Sequence, residues 1–348
     1  MTIHFESEVT EARILSPLNN FQLTIQSLEH RADPLTGRRV VISKGRIEYV
    51  KRFIQSEQAF VDELAETTRA NCPFCSKAVE KSAPKFPKEI APEGRIRVGE
   101  AVCFPSLFAH EDFNALVVPT TKHRVQLNEF TAKMLFDGFK ACLTYFSKVL
   151  AASPEAKYPA IVMNFLPPAG STIVHPHIQA LASYVPIQGI SNLLTASESY
   201  AIAKGVRYWD DLVGTEKKLA TRYLKNIDGV DWLTPYAPMG LNEAQAIVLG
   251  KSNLETLSDN ELMGLADGFS RVLRYYNDIE VRSFNAAIYF GPMHEKKRHF
   301  SITARIVSRY GYKPKFVSDV WALQYLLSEQ EVYESPEETC LKLRKYFE

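Results

Sequence analysis

The chain has 348 residues, 41 Lys and Arg against 40 Asp and Glu for a formal net charge of +1, with 46% hydrophobic and 23% charged residues. That length suggests about two domains at roughly 150 residues each, and it buries enough surface to hold a core without staples. The near-neutral balance argues against a nucleic-acid binder or a polybasic membrane protein, while leaving room for an anionic small ligand held by a few placed cations.

Met1-Thr2-Ile3-His4-Phe5-Glu6 lacks the basic and apolar regions of a secretion signal, and no apolar run approaches the ~18 residues of a membrane span. A cytoplasmic protein is expected. Its five cysteines then read as thiols or metal ligands rather than a disulfide framework.

Cys72-Pro73-Phe74-Cys75 has the spacing that brings two thiolates to one tetrahedral zinc. The rival is a redox pair, which normally sits beside a βαβ pattern; the polar stretch before Cys72 shows none. A cysteine pair needs two more ligands. Cys72, Cys75, His123 and His175 would close one structural site, with His110 competing as third ligand. Cys103, Cys142 and Cys340 have no paired spacing, and Cys142 reads as core. Residues 82–94, rich in Pro, Lys and Glu, read as a surface loop.

Asn114-Ala115-Leu116-Val117-Val118 reads as a strand, and apolar residues three and four apart from Leu127 to Tyr145 predict a helix. Sliding the chain by 130 places Leu127, Leu135, Asp137, Gly138, Phe139, Leu143 and Tyr145 on Leu257, Leu265, Asp267, Gly268, Phe269, Leu273 and Tyr275. A shift of 124 places His175-Pro176-His177-Ile178-Gln179-Ala180 on His299-Phe300-Ser301-Ile302-Thr303-Ala304. Chance between two amphipathic helices is the bland explanation; the shared Asp-Gly-Phe and the repeated order strand, helix, strand favour duplication. Only the first copy keeps both histidines and the glutamine, so chemistry is expected there.

Alternation on a strand would put His175, His177 and Gln179 on one face. The preceding Pro167-Pro168-Ala169-Gly170-Ser171-Thr172 is a turn-rich loop whose backbone amides would approach a phosphate. Such a face suits phosphoryl or nucleotidyl chemistry, with an imidazole as nucleophile and a carboxamide on the non-bridging oxygens. Two structural histidines are the alternative.

Residues 191–221 read as largely helical, bridging two halves. The basic stretch Lys296-Lys297-Arg298 with Arg305 and Arg309 reads either as an acceptor-phosphate site or as a solvated hairpin. Ser335-Pro336-Glu337-Glu338 opens a capped C-terminal helix.

Taken in order, these segments resemble the galactose-1-phosphate uridylyltransferase branch of the histidine-triad superfamily, which includes related nucleotide-sugar phosphorylases. The likeness rests on Arg31-Ala32-Asp33-Pro34-Leu35-Thr36-Gly37 with Val40-Val41-Ile42-Ser43 and Arg46, on the Cys72–Cys75 knuckle, on Lys122-His123-Arg124, and on Gly170 to Gln179. Weaker likeness continues through Trp232-Leu233-Thr234-Pro235-Tyr236 and Lys315-Phe316-Val317.

The resemblance implies an α+β fold of two tandem histidine-triad-like domains, each an antiparallel sheet with a packed helix: residues 1–190 with the zinc site and nucleophile, and residues 191–348 as a degenerate scaffold or acceptor half. It implies a two-step transfer in which His177 attacks the α-phosphorus of a nucleoside-diphosphate sugar and Gln179 holds the transferred group. Substrate contacts would come from Arg31, Arg46, Asn164, Gly170, Ser171, Thr172 and Lys315. One Zn2+ on Cys72, Cys75, His123 and His175, a phosphate or sugar-phosphate acceptor, and a homodimer without nucleic-acid or membrane partners complete the expectation.

The chain departs from the family in four places. The Lys-Arg-Pro that often follows the N-terminal signature is missing after Arg46. No asparagine accompanies Val102-Cys103-Phe104-Pro105-Ser106-Leu107, Ser318-Asp319-Val320 replaces the hexose-holding Gly-Tyr-Glu, and His299 lacks the companion histidine of a second metal site. Phosphorylase and non-catalytic nucleotide-binding readings therefore stand beside the transferase.

Overall fold

On the strand Ile302–Ser308, Ile302, Ala304 and Ile306 are fully buried, while Arg305 and Val307, which flank Ile306, are only partly covered and the buried Thr303 is polar. Alternation of this kind sorts the protein into a sheet with one helix-covered face and one face that carries polar groups. The structure, a computed structural model, describes residues 3–315 and 317–348, with the side chains of all of these except Ser76 and Lys77. Phe316, part of the Lys315-Phe316-Val317 likeness, lies outside the described residues, as do Met1 and Thr2.

Among the described residues the strands are β1 (Ser7–Ser16), β2 (Gln22–Ala32), β3 (Arg39–Ile42), β4 (Ile96–Val98), β5 (Ala101–Pro105), β6 (Phe113–Val118), β7 (Tyr158–Phe165), β8 (Ile178–Ser183), β9 (Tyr223–Ile227), β10 (Val230–Leu233), β11 (Leu241–Val248), β12 (Phe284–Tyr289), β13 (Ile302–Ser308) and β14 (Gln330–Val332). The helices are α1 (Ile47–Ile54), α2 (Gln58–Arg69), α3 (Ser76–Ser82), α4 (Ala132–Ala152), α5 (Gln188–Lys204), α6 (Tyr208–Leu219), α7 (Asp259–Asp278), α8 (Ala322–Leu327) and α9 (Pro336–Phe347). The protein is α+β, as expected.

Ten strands form one sheet in the order β4-β5-β6-β8-β7-β12-β13-β11-β10-β9, and β1-β2-β3-β14 form a second. Read inward from each edge, the large sheet repeats one order: β4-β5-β6-β8-β7 with α4 between β6 and β7, and β9-β10-β11-β13-β12 with α7 between β11 and β12. The antiparallel pairing of β7 with β12 joins the two halves. One apolar core runs through both, and the boundary expected at residue 190 falls in the first turn of α5.

Helices α4 and α7 pack on the same face, where Phe139 and Phe269 meet edge to face at 5.7 Å. The repeated Asp-Gly-Phe has a packing reason. A Cβ on Gly138 would stand 2.6 Å from Cδ1 of Ile178, and one on Gly268 would enter the indole of Trp232. Both helices thus approach the sheet at a glycine.

The opposite face carries a row of side chains in register across six strands: Leu116, Gln179, Val162, Ala287, Arg305 and Gln245. Residues 191–221 are helical as expected, in α5 and α6. Of the stretch 82–94, Ser82 ends α3 and the rest is irregular, yet Phe86, Ile90 and Ala91 are buried, with Phe86 stacked on Tyr145 at 5.2 Å.

Candidate active site and metal centre

Helix α2 ends at Arg69, and the knuckle turns directly into α3, with Cys75 at the N-cap position. Phe74, Val79 and Ala83 seat this segment on Val102, Phe104 and Val118, on the sheet face away from α4. His123 follows the end of β6, and His175 precedes β8.

These four side chains converge, their ligand atoms all within 4.8 Å of one another. Cys72 Sγ lies 3.7 Å from Nδ1 of His175; Cys75 Sγ lies 3.5 Å from Nδ1 of His123 and 3.8 Å from Nδ1 of His175. Ligands at about 2.0–2.3 Å from a tetrahedral zinc stand roughly 3.3–3.8 Å apart, so the set fits that ion. Each histidine turns its other nitrogen to a backbone carbonyl: Nε2 of His123 to Ala65 at 2.9 Å and Nε2 of His175 to Thr120 at 2.9 Å. Those bonds put the proton on Nε2 and leave both Nδ1 lone pairs for a cation. His110 sits in an exposed loop and takes no part.

Burial shapes the protonation states. It lowers His123 and takes His175 down to about 4, keeping both imidazoles neutral, and it raises the Cys75 thiol, with Cys72 adding to the rise. A cation would reverse that thiol shift.

The strand expected to begin at His175 begins at Ile178. Pro176 offers no N–H to a sheet ladder, and the chain from Ser171 to His177 is irregular. Strand alternation therefore does not govern His175 and His177: His175 is fully buried among the four clustered side chains, His177 and Gln179 are partly accessible, and the rings of both histidines stand against Phe74, at 6.3 and 5.3 Å. His177 donates from Nδ1 to the carbonyl oxygen of His175 at 3.0 Å, which leaves the Nε2 lone pair unprotonated. Burial lowers the pKa of His177, with that hydrogen bond opposing.

The loop after β7 is tight. Leu166 has φ +68°, a strained value for a branched residue. The N–H of Gly170 donates to Pro167 at 2.9 Å and that of Ser171 to Leu166 at 3.3 Å. These two amides therefore serve the loop itself, a correction to the phosphate nest expected there. The Ser171 hydroxyl donates to Ile173 at 2.7 Å, while Thr172 is exposed.

The remaining expected contacts scatter. Asn164, on β7, accepts from Asn285 at 2.6 Å; Asn285 in turn bonds Ala169 in the loop, at 2.9 Å, and Arg309. Arg31 is buried and holds Glu337 through two hydrogen bonds of 2.9 and 3.0 Å, Glu29 at 2.7 Å, and the Tyr236 ring at 4.5 Å. Arg46 pairs with Glu331 at 2.6 Å. Lys315 is exposed in a turn. The structure brings none of these three cations to His177. The basic stretch is also divided: Arg305 lies within β13 and binds Glu243 at 2.6 Å, and Arg309 binds Asp319 at 2.7 Å.

One residue escaped the sequence reading. Asn114 is buried on the same face as Gln179, and neither carboxamide atom has a partner among the described residues. Its strand position was legible; its orphaned amide was not.

No family model matches the chain. An uncharacterized protein of Archaeoglobus fulgidus is 30% identical over 345 residues, covering 99% of this chain and 98% of that one. Among solved structures, an ADP-glucose phosphorylase of Arabidopsis thaliana with bound ADP-glucose superposes with a TM-score of 0.70 at 17% identity, covering 92% of this chain and 99% of the other. A galT-like protein of the same plant gives 0.68 at 16%, with 91% and 98% covered. A uridylyltransferase mutant gives 0.63 at 17%, with 91% and 97% covered.

Proposed function

We propose that this chain, which belongs to the same family as the Archaeoglobus fulgidus protein and has the fold of the galT-like proteins and uridylyltransferases, is a nucleotidyltransferase working through a covalent nucleotidyl-histidine on His177. The observation that carries the reading is the His177 ring, fixed by its Nδ1–H on the His175 carbonyl with Nε2 left free.

The Nε2 lone pair attacks the α-phosphorus of a nucleoside-diphosphate sugar. A P–N bond forms, the bridging P–O bond breaks, and the sugar 1-phosphate leaves with the electron pair. The positive charge reaching the ring is met by the His175 carbonyl at Nδ1–H. Gln179 donates its amide to a non-bridging oxygen of the transferred group. A phosphate oxygen of the acceptor then attacks phosphorus, and the P–N electrons return to Nε2. Asn164 and the loop of Gly170, Ser171 and Thr172 line the approach.

Zinc suits the donor set of Cys72, Cys75, His123 and His175, four ligands with no open position. Its role is structural: it fixes the segment from which His177 projects. The repeated strand order supports an internal duplication with the chemistry in the first half. The hairpin of β1 and β2 exposes Leu15, Leu18, Phe21 and Leu23, a surface that suits a homodimer. No described helix is long and apolar enough to cross a membrane, in keeping with a cytoplasmic enzyme.

Phosphate as acceptor, giving a nucleotide-sugar phosphorylase, is favoured by Asp319. In the segment that replaces the family's hexose-holding residues, the Asp319 carboxylate is tied to Arg309 rather than left free for sugar hydroxyls. The test is a burst assay without acceptor: nucleoside-diphosphate sugars should release about one equivalent of sugar 1-phosphate per chain. Adding phosphate or a hexose 1-phosphate then identifies the acceptor. A steady rate with no burst, or no release from UDP-, ADP- or GDP-sugars, would overturn the reading.

A further inference from the structure

The loop between β12 and β13 occupies, in the second half, the place that the loop from Gly170 to His177 occupies in the first. At the 124-residue shift, uncharged Thr172, Ile173 and Val174 are replaced by Lys296, Lys297 and Arg298, and His175 by His299. These four residues face α5 across a cavity of about 440 Å³. We propose that this cavity binds a phosphate-bearing small molecule.

Charge points to an anion. Glu198 is the acid among the lining residues, against three cations. Lys297 is shared with Glu295 at 2.9 Å. Lys296 and Arg298 are exposed and have no ion-pair partner among the described residues. Nδ1 of His299 is buried without a hydrogen-bond partner among the described residues, and an orphaned buried nitrogen is costly. Ser191 and Thr195 on α5 offer hydroxyl donors on the opposite wall. Mixed ammonium, guanidinium, imidazole and hydroxyl donors match the several acceptor oxygens of a phosphate.

The site is separate from His177. Tyr158 lines the cavity, Gln179 pairs with Val162 four residues further along β7, and His177 lies two residues beyond Gln179. Six residues of strand span about 20 Å. An anion held by Lys296, Lys297 and Arg298 is too far to attack a phosphorus on His177 of the same chain, so these three cations, unlike Arg305 and Arg309, are set apart from that reaction. The proposal stands whether or not His177 carries a nucleotide.

The test is calorimetric titration of the full chain with inorganic phosphate, a hexose 1-phosphate and a nucleoside monophosphate, at ionic strength matched with sodium chloride. Wild type and His177→Ala should bind at least one of the three saturably at this site. The Lys296→Ala/Arg298→Ala double variant should bind it at least about 10-fold more weakly, and His299→Asn should weaken it to a smaller degree, with circular dichroism unchanged in each. A preference among the three ligands assigns the source of the phosphate. Equal affinity in the double variant, or saturable binding by none of the three, would overturn the proposal.

Discussion

The ring of Phe74, held between the two cysteines of the knuckle, stands edge-on to the ring of His177, with centroids 5.3 Å apart and planes at 69°. Phe74 is buried against Phe104 at 5.5 Å. The candidate metal cluster therefore reaches the proposed nucleophile in two ways, through the His175 carbonyl on Nδ1 and through the wall of its ring. Replacing Phe74→Ala removes the wall and leaves all four metal ligands. Turnover is expected to fall roughly 10- to 100-fold, because a nucleophile displaced by about 1 Å loses that much. Metal content, read by elemental analysis on the same sample, should stay at the wild-type value; a full loss of metal would show that Phe74 acts on the knuckle instead.

The metal site makes a contrasting pair of predictions. Cys72→Ala should abolish bound zinc and lower the melting temperature by several degrees, since a buried ligand set without its cation keeps only the folding energy of its packing. His110→Ala should change neither, because the third ligand position belongs to His123, whose Nε2 is committed to Ala65. Zinc lost from the His110 variant and kept by His123→Ala would reverse the assignment.

Acid stability depends on a pairing across 306 residues of chain. Burial pushes the Glu337 carboxyl up, but hydrogen bonds from Arg31 and Arg222 outweigh it and hold the group below its ordinary 4.5. A carboxyl depressed on folding adds stability that is present above pH 4.5 and lost as pH falls through the folded value. Glu337→Gln should therefore be clearly less stable in urea at pH 7, and the gap to wild type should narrow progressively as pH falls below 4.5. A gap that stays constant between pH 7 and 3 would contradict the pairing.

The two helix glycines should not tolerate substitution equally. Gly268→Ala drives a methyl into the rigid indole of Trp232, whereas Gly138→Ala meets the movable end of Ile178 at 2.6 Å. The first is expected to cost about 1–3 kcal/mol in chemical denaturation, typical of overpacking, and the second less. Equal costs would mean that the core yields around both.

Much of this was legible in the sequence, because its signals are local. The Cys-x-x-Cys spacing selected the knuckle, and four-ligand logic added His123 and His175, which the fold brings to it. The 130-residue repeat marked α4 and α7, whose shared glycine is a packing contact. What the sequence hid was long-range. Arg31, read as a substrate contact, is held by Glu337 from the far end of the chain. Arg305, grouped with its basic neighbours, lies on the same cross-strand row as Gln179, since only pairing between halves sets that row. Pro176, with no N–H for a ladder, is the local signal that starts the strand at Ile178 rather than at His175.

The central claim is that His177 becomes nucleotidylated. The direct measurement is mass spectrometry of the intact chain after brief incubation with a nucleoside-diphosphate sugar in the absence of acceptor, followed by peptide mapping. The account predicts one added nucleoside monophosphate on the peptide containing His177, acid-labile, discharged by acceptor, and absent from His177→Ala. Turnover by His177→Ala at the wild-type rate, or a stable adduct mapping elsewhere, would contradict it.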